Sequence, residues 1–230
     1  YSAISVHRKL STLRTFFKWL QKEGLIQKDP MKSVSGPKVK KELPSFAQQG
    51  ELLNEKIEPL FSDDFEGVRD RLMFELLYQT GIRSNELVNL KTKDVQNGTI
   101  KVLGKRNKER IIPIDNSLVS LINHYTNFRL ELELQTEFLV VLKSGKKLYP
   151  KLVYRKINNY LGMATGLRKK SPHVLRHTFA THMLNNGAEL EVLKDILGHA
   201  NLSATQVYTH NSFAQLTNIY SQSHPRGHKK

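Results

Sequence analysis

Five short segments of the sequence concentrate side chains that can do chemistry. They are rich in arginine, lysine, histidine and tyrosine, the residue types that bind anions, transfer protons or become nucleophiles. In chain order they are residues 80–87, 104–110, 173–177 and 197–199, followed by Tyr208. Taken singly, each has an ordinary explanation: a solvated arginine, a polar turn, a structural histidine, a helix cap or a core tyrosine. Only their combination indicates a site.

The spacing of two histidines raises the possibility of metal binding. His173 and His177 are four residues apart on a predicted helix, as in a zinc-binding pair, and His182 is near. The metalloprotease form of this pair needs Glu directly after the first histidine, where Val174 stands. Residues 138–188 contain no Asp or Glu, and the chain has no cysteine. We therefore predict that the site uses no metal and no cofactor.

The charge of the chain is strongly positive and unevenly distributed. The 36 Lys and Arg residues outnumber the 21 Asp and Glu residues, giving a formal net charge of +15. Such an excess favours a polyanionic partner, most often nucleic acid, with an acidic membrane surface as the second candidate. Residues 1–41 have ten basic and two acidic side chains. Residues 51–75 have three basic and eight acidic side chains, and residues 143–176 have ten basic side chains and no acidic one. Basic blocks separated by an acidic one are typical of a DNA clamp.

The composition also excludes other classes of protein. A chain without cysteine has no disulfide scaffold and no Cys-ligated metal. The longest apolar run, residues 138–142, is far too short to span a membrane, and no signal segment opens the chain. We expect a cytoplasmic protein with no membrane partner.

The first element that could position these residues is a helix near the start of the chain. Apolar residues recur at steps of three and four from Val6 to Leu20, which predicts an amphipathic helix ending at Gly24. One helix cannot bury its own apolar side, and the chain begins at Tyr1 rather than Met, so we expect a piece of a longer protein. We predict three parts: residues 1–35, the remnant of a helical domain; residues 36–44, a linker; and residues 45–230, a second domain.

The second domain is predicted to combine helices with a small sheet. Glycines at positions 81, 187 and 198 are expected to end helices, and Ser84 is expected to cap the helix that contains Leu87 and Leu90. Ser171 followed by Pro172 indicates another helix start. Residues 99–103 and 110–114 flank a polar turn and predict a β-hairpin, to which residues 138–142 could add a third strand. The predicted fold class is mostly α with a small antiparallel β-sheet (α+β).

Together, the five segments resemble the motifs of the tyrosine recombinases, or phage-integrase-type site-specific recombinases, and most closely those of the bacterial Xer subgroup. That family has an Arg in a T-G-x-R-x-x-E-L segment, a Lys in a hairpin turn, an H-x-x-R, an L-G-H and a C-terminal Tyr. The matching residues are Arg83 with Glu86, Lys105, His173 with Arg176, His199 and Tyr208. The resemblance covers essentially the whole chain and implies a tyrosine recombinase catalytic domain after a fragment of a helical DNA-clamp domain.

The resemblance also implies a reaction and a role for each residue. In this family a tyrosine hydroxyl, here that of Tyr208, attacks a DNA phosphodiester and forms a 3′-phosphotyrosine, without metal or ATP. By the same resemblance Arg83, Arg176 and His199 stabilise the phosphate, and His173 is the general base. Lys105 matches the general acid, but Arg106 follows it where Xer proteins commonly have Gly. Lys108, in the same turn, is therefore a second candidate.

Two other functions are compatible with parts of the sequence. Residues 189–197, a turn at Gly198 and a helix from Ser203 could form a helix-turn-helix in a non-catalytic DNA-binding module. A type IB topoisomerase-like enzyme shares the tyrosine and arginine chemistry but relaxes supercoils. The first alternative leaves the spacing of Arg83, His173 and Tyr208 unexplained. The tail at residues 224–226 resembles the end of Xer proteins and argues against the second alternative.

The expected partners follow from the resemblance. They are double-stranded DNA with a specific recombination site, three further copies in a tetramer on DNA, and a second recombinase or accessory protein. Residues 213–224 are apolar at Phe213, Leu216 and Ile219. This helix would suit docking on a neighbouring copy, or packing on its own domain.

Overall fold

The computed structural model describes residues 2–38, 45–104, 108–198 and 210–227, with the backbone alone for residues 210–215. The chain divides into two compact units, Tyr1–Leu43 and Pro44–Lys230. In the described parts of the chain, no helix combines the length and the hydrophobicity needed to cross a membrane.

The first unit consists of one long helix and the segment that follows it. Helix α1 spans Ala3–Lys22, and its N-terminus is capped by the hydroxyl of Ser2. Gly24, at a φ of 73°, turns the chain after the helix, as the sequence predicts. The segment then runs back along α1, where Arg14 Nη2 donates to the carbonyl of Val34 at 2.7 Å.

The second unit contains helices α2 to α9 within its described residues. They are α2 Asn54–Ile57, α3 Phe65–Thr80, α4 Ser84–Asn89, α5 Asn116–Glu131, α6 Pro150–Ala164, α7 Pro172–Asn185, α8 Leu190–Leu197 and α9 His210–Ser223. Helix α3 is buried along nearly its whole length and packs against α5, α6 and α7. Because α3 lies at the centre of the core, its C-terminus is a rigid point from which α4 starts.

The predicted helix ends at glycines are confirmed, but the predicted start of α4 differs. Gly81 and Gly198 end α3 and α8 in the left-handed conformation, and Gly187 follows α7 at a φ of 91°. Helix α4 is capped by Arg83 rather than by Ser84, because the Glu86 carboxylate accepts the backbone N–H of Arg83 at 2.8 Å. A glutamate at the third helical position can reach back to the backbone N–H of the residue that precedes the helix.

The small antiparallel sheet is present, but its third strand is not the predicted one. Strands β1 Val95–Gln96, β2 Thr99–Leu103 and β3 Glu109–Pro113 pair in the order β1-β2-β3. Residues 138–142 make only isolated bridges, at Phe138 and Val141. They are a buried loop: Arg129 donates to the carbonyls of Phe138 and Leu139, and the Tyr125 hydroxyl accepts from Val141 N. The apolar run therefore indicated burial, not a strand.

The C-terminal segment packs on its own domain. Leu216 and Tyr220 of α9 are buried, and the ring of His224, fully enclosed, stacks on that of Tyr220 at 5.2 Å. Arg226 Nη2 lies 2.9 Å from Glu75 Oε1, and its guanidinium lies over the Tyr78 ring. We call these five residues the tail anchor: Glu75, Tyr78, Tyr220, His224 and Arg226. Packing on its own domain, one of the two arrangements compatible with the sequence, is therefore observed for the described residues of this segment.

Candidate active site

The site begins at the turn that joins α3 to α4. Gly81 has a φ of 61°, and a Cβ there would lie 2.5 Å from Phe179 Cδ1, so the turn requires glycine. Two residues later, Arg83 precedes the first turn of α4 and has a partly exposed side chain. Its Nη1 donates to Glu86 Oε1 at 2.8 Å, while its backbone N–H bonds the other oxygen of the same carboxylate. Glu86 therefore fixes both the backbone and the guanidinium of Arg83.

A second arginine binds Glu86 from the sheet. Arg110 of β3 is 5% exposed and makes a bidentate pair, with Nη1 to Glu86 Oε1 at 3.1 Å and Nη2 to Oε2 at 2.7 Å. Its Nε donates to the carbonyl of Ile196 in α8 at 2.7 Å. Arg110 thus joins α4, β3 and the last turn of α8.

The third arginine comes from α7. Arg176 Nη1 donates to the carbonyl of Gly81 at 2.5 Å, and Nη2 donates to the carbonyl of Leu197 at 2.7 Å. Its side chain is part-buried against the turn before Arg83 and the C-terminus of α8. We call Arg83, Glu86, Arg110 and Arg176 the arginine cluster.

The electrostatics of the arginine cluster favour an anion. Among the described residues, the ion pairs join Arg83 and Arg110 to one carboxylate, that of Glu86, whereas Arg176 donates to backbone carbonyls. Burial alone would raise the pKa of Glu86, but the hydrogen bonds and charge of Arg110 and Arg83 outweigh it and lower the pKa. Burial lowers the pKa of Arg176 to about 10, and the positive charges of Arg83 and Arg110 act in the same direction. A bound anion would offset this unbalanced positive charge.

The three histidines of the predicted α7 helix lie in different surroundings. Helix α7 starts with Ser171 as its cap and Pro172 in its first turn, as predicted. His173 is exposed in the first turn, three residues before Arg176, so the two share a helix face. His177 packs its ring edge against Phe46, with ring centroids 6.2 Å apart. His182 is buried, with Nδ1 2.9 Å from the Tyr78 hydroxyl and Nε2 2.9 Å from the carbonyl of Ala47.

In the part of the chain that the structure describes, no group of three or more His, Cys, Asp or Glu side chains is arranged to hold a metal ion. The hydrogen bonds of His182 to Tyr78 and Ala47 give it a structural role.

Three of the predicted site residues lie outside the described residues: Lys105, His199 and Tyr208. The residues next to two of them are described. Gly104 N donates to the carbonyl of Lys108 at 2.8 Å, and Lys108 itself is exposed. Leu197 and Gly198, directly before His199, contact Arg176 and Arg110. The structure therefore brings Arg83, Glu86 and Arg176 together and describes the residues next to Lys105 and His199, while Tyr208 and its neighbours lie outside the described residues.

Comparison with known proteins identifies the family. The sequence profile of the phage integrase family matches residues 47–215, nearly three quarters of the chain and all within the second unit. The chain belongs to the phage integrase family. It is 39% identical to tyrosine recombinase XerC of Thermodesulfovibrio yellowstonii over 97% of this chain and 77% of that protein. It is also 39% identical to tyrosine recombinase XerD of Proteus mirabilis, over 99% of this chain and 74% of that protein.

A solved structure agrees with this membership. The XerH site-specific recombinase, in a post-cleavage complex with palindromic difH substrate, aligns with a TM-score of 0.69 and 27% identity. The alignment covers 89% of this chain and 63% of that one. As a member of the phage integrase family, the chain is a tyrosine-type site-specific recombinase with the predicted α+β fold, and neither alternative function is better supported.

Arg110 is the residue of the site that sequence reasoning missed. The sequence places it at the end of segment 104–110 and at the start of the strand predicted at residues 110–114, but gives it no role in the site. Its register was the available signal: Arg110 pairs with Val102 as Ile112 pairs with Ile100, so it faces inward with those apolar residues. A basic residue at an inward position of an alternating strand needs a buried acidic partner, which here is Glu86.

Proposed function

We propose that this chain cuts and rejoins double-stranded DNA at a specific site through a covalent intermediate on Tyr208. The phenolic oxygen of Tyr208 attacks the scissile phosphorus, the bond to the 5′-oxygen breaks, and a 3′-phosphotyrosine and a free 5′-hydroxyl form. The 5′-hydroxyl of a second strand then attacks the same phosphorus and releases Tyr208. Each step exchanges one phosphodiester bond for another, so the two-step reaction needs no external energy source.

The observation that supports this proposal most strongly is the arginine cluster. A phosphodiester repels nucleophiles, and its transition state places further negative charge on the non-bridging oxygens. Arg83 and Arg176 supply permanently charged donors of the kind that bind such oxygens in pairs. Fixed donors at developing charge are usually the largest part of catalysis, and losing one costs about 10²–10³-fold in rate. The excess of guanidiniums over carboxylates in the described cluster fits a site built for an anion.

The remaining roles rest on the resemblance and on general chemistry. Tyr208 would be a weak nucleophile with its proton in place, and His173, exposed on the same face of α7 as Arg176, would remove that proton. His199 would add a donor to the phosphate, and Lys105 would protonate the leaving 5′-oxygen. None of these roles requires a metal or cofactor.

The proposed macromolecular partner is double-stranded DNA. The basic blocks at residues 1–41 and 143–176 supply many cations for phosphate contacts. The XerH site-specific recombinase is bound to palindromic difH substrate in its solved structure. We propose that residues 1–35 belong to a helical clamp domain, that residues 45–230 form the catalytic domain, and that four protomers assemble on paired sites in the cytoplasm. A second recombinase or accessory protein would complete the assembly.

Trapping the covalent intermediate tests the proposal. On a nicked target site that loses the 5′-hydroxyl fragment, the protein should form a denaturant-stable adduct in the presence of excess EDTA. The Tyr208→Phe variant should form none. An adduct with that variant would show that another residue is the nucleophile, and a divalent-ion requirement would indicate a metallonuclease.

A sulfur substrate separates the two candidate acids. Replacing the bridging 5′-oxygen by sulfur gives a leaving group that needs no proton, because the pKa of a thiol is roughly 8.5. Lys105→Ala should be slowed about 10²–10⁴-fold on ordinary DNA and largely restored on the sulfur substrate. Selective rescue of Lys108→Ala instead would make Lys108 the acid.

A further inference from the structure

The side chain of Arg110 is enclosed within the protein part of the site. Its side chain is nearly enclosed, and all of its described hydrogen bonds go to protein groups: two to the Glu86 carboxylate and one to the carbonyl of Ile196. It is therefore unlike Arg83, whose side chain is 31% exposed. A role for Arg110 in the reaction must pass through the residues that it holds.

We propose that Arg110 is a positioning residue for recombination. It fixes the position of the Arg83 guanidinium through Glu86 and holds the last turn of α8 in place. The inference rests on the proposed function, because it assumes that Arg83 stabilises the charge of the scissile phosphate.

The connection to Arg83 is short and geometrically defined. Glu86 Oε1 accepts from both Arg83 Nη1 and Arg110 Nη1, at 2.8 and 3.1 Å, while Oε2 accepts from the Arg83 backbone and from Arg110 Nη2. Each carboxylate oxygen is thus shared between the two arginines. Without Arg110, Glu86 would be free to rotate and to pair fully with Arg83, which would draw that guanidinium away from a phosphate.

The connection to α8 involves a close approach. A Cβ on Gly198 would lie 3.2 Å from both Cδ and Nη1 of Arg110, so the arginine side chain lies directly against this helix end. Arg110 Nε bonds the carbonyl of Ile196, and Arg176 bonds that of the next residue, Leu197. Two arginines of the cluster therefore hold consecutive carbonyls of the turn that leads to His199.

The strand position explains why an arginine from the sheet can do this. Arg110 follows the hairpin turn by two residues, and the pairing of β2 with β3 fixes its inward direction opposite Val102. The backbone bond from Gly104 to Lys108 closes the turn just before it. Arg110 therefore connects the hairpin that contains Lys105 to the cluster that contains Arg83.

The charge of the substrate distinguishes a positioning role from a purely structural one. A methylphosphonate replaces one non-bridging oxygen of the scissile phosphate by an uncharged methyl group, so stabilisation of that charge is no longer needed. We would measure single-turnover adduct formation on the phosphodiester and on the methylphosphonate at a temperature where every variant is folded. The variants are Arg110→Met, Arg83→Ala and, as a matched control, Arg129→Met. Arg129 is also a buried arginine bonded to backbone carbonyls, but in the loop at Phe138 and Leu139.

Arg110→Met should slow adduct formation on the phosphodiester by roughly 10–100-fold, as expected for lost hydrogen bonds to a charged group. On the methylphosphonate the loss should fall to less than about threefold, in parallel with Arg83→Ala. Arg129→Met should be unchanged on both substrates. Arg110→Lys, which keeps the charge without the bidentate geometry, should show a smaller loss with the same substrate dependence. It also serves as the test variant if Arg110→Met does not fold.

Two results would overturn the inference, and they are distinguishable. Equal losses on both substrates for the Arg110 variants, with Arg83→Ala still dependent on substrate charge, would reduce Arg110 to a structural residue. Equal losses of Arg83→Ala on the two substrates would refute the proposed role of Arg83 in stabilising the charge of the scissile phosphate, and the inference with it. In addition, adding Glu86→Gln to Arg110→Met should cost little more than Arg110→Met alone, because both act on Arg83 through one carboxylate. Fully additive losses would contradict that route.

Discussion

The arginine cluster and the tail anchor are both buried ion-pair sites of the second unit, but their charge balance differs. In the tail anchor one arginine meets one carboxylate: Arg226 and Glu75 side chains are each 6% exposed, and Arg226 also donates to the carbonyl of Leu52. In the arginine cluster the three guanidiniums accompany one carboxylate, that of Glu86, which pairs with Arg83 and Arg110, and the side chain of Arg83 remains 31% exposed.

This difference separates a structural pair from a binding site. A matched and enclosed pair has no remaining charge to offer a ligand, so its removal should affect folding alone. An unmatched and partly exposed cluster is less favourable in the free protein, and a bound anion would relieve that cost. Burial of an arginine therefore does not by itself mark a functional site, whereas unbalanced arginine charge that is partly exposed supports one.

The largest effect is expected in the tail anchor. Arg226→Met should lower the free energy of unfolding by about 3–5 kcal/mol, because it leaves the buried Glu75 carboxylate without its cation. Equilibrium urea unfolding measures this change. The adduct-forming rate of the folded fraction should stay close to that of the parent.

The double variant Arg226→Met with Glu75→Leu is the control for that change. It removes the stranded charge together with its partner and should recover much of the lost stability. A stability loss under about 1 kcal/mol for Arg226→Met would mean that the enclosed pair behaves as a solvated one.

The second effect is on rate rather than on stability. Arg83→Ala should reduce adduct formation by about 10²–10³-fold, because a donor to the phosphate charge is lost. The free energy of unfolding should change much less than in Arg226→Met, since removing Arg83 leaves Glu86 paired with Arg110. Rapid-quench cleavage assays and urea unfolding of the same preparation would test both parts. A stability loss as large as that of Arg226→Met would erase the distinction between the two sites.

The sequence was more informative about the arginine cluster than about the elements that hold it. Motif spacing predicted that Arg83, Glu86 and Arg176 belong together, and glycines 81, 187 and 198 predicted the helix ends. Residues 138–142 were a possible third strand from the sequence but form a loop, because an apolar run indicates burial and does not by itself distinguish a strand from a buried loop. Arg110 was missed because its partner Glu86 is 24 residues away, and only the tertiary fold brings them together.

The third prediction concerns acid stability and the histidine of the tail anchor. Burial lowers the pKa of His224 to about 3, against an ordinary value of 6.5. Between these values the unfolded chain binds a proton that the folded chain does not, so stability present above pH 6.5 is lost as the pH falls towards 3. The loss at pH 4.5 relative to pH 7 should be on the order of 2 kcal/mol.

His224→Phe should flatten part of this slope, since the stack on Tyr220 can persist without a titrating ring. His182, whose pKa is also lowered by burial, accounts for a further part. The pKa of Glu86 lies below its ordinary value of 4.5, so the stability that this carboxylate contributes to the arginine cluster should be lost only below that pH. Urea unfolding at a series of pH values measures these slopes. An unchanged slope in His224→Phe would mean that His224 does not contribute to the acid transition.

The smallest effect is expected at a third arginine–glutamate pair, which tests whether burial or distance sets the energy. Arg71 Nη1 lies 2.7 Å from Glu58 Oε1, closer than Arg226 lies to Glu75, but these side chains are 30% and 57% exposed. Water screens such a pair and solvates either partner when the other is removed, so Arg71→Ala should cost less than about 1 kcal/mol. A double-mutant cycle with Glu58→Ala isolates the coupling free energy between the two side chains. The same cycle at Arg226 and Glu75 should give a coupling free energy several times larger. If the exposed pair proved as strongly coupled as the buried one, contact distance would be the deciding factor. The contrast between the tail anchor and the arginine cluster would then have to be explained by geometry instead of by burial and charge balance.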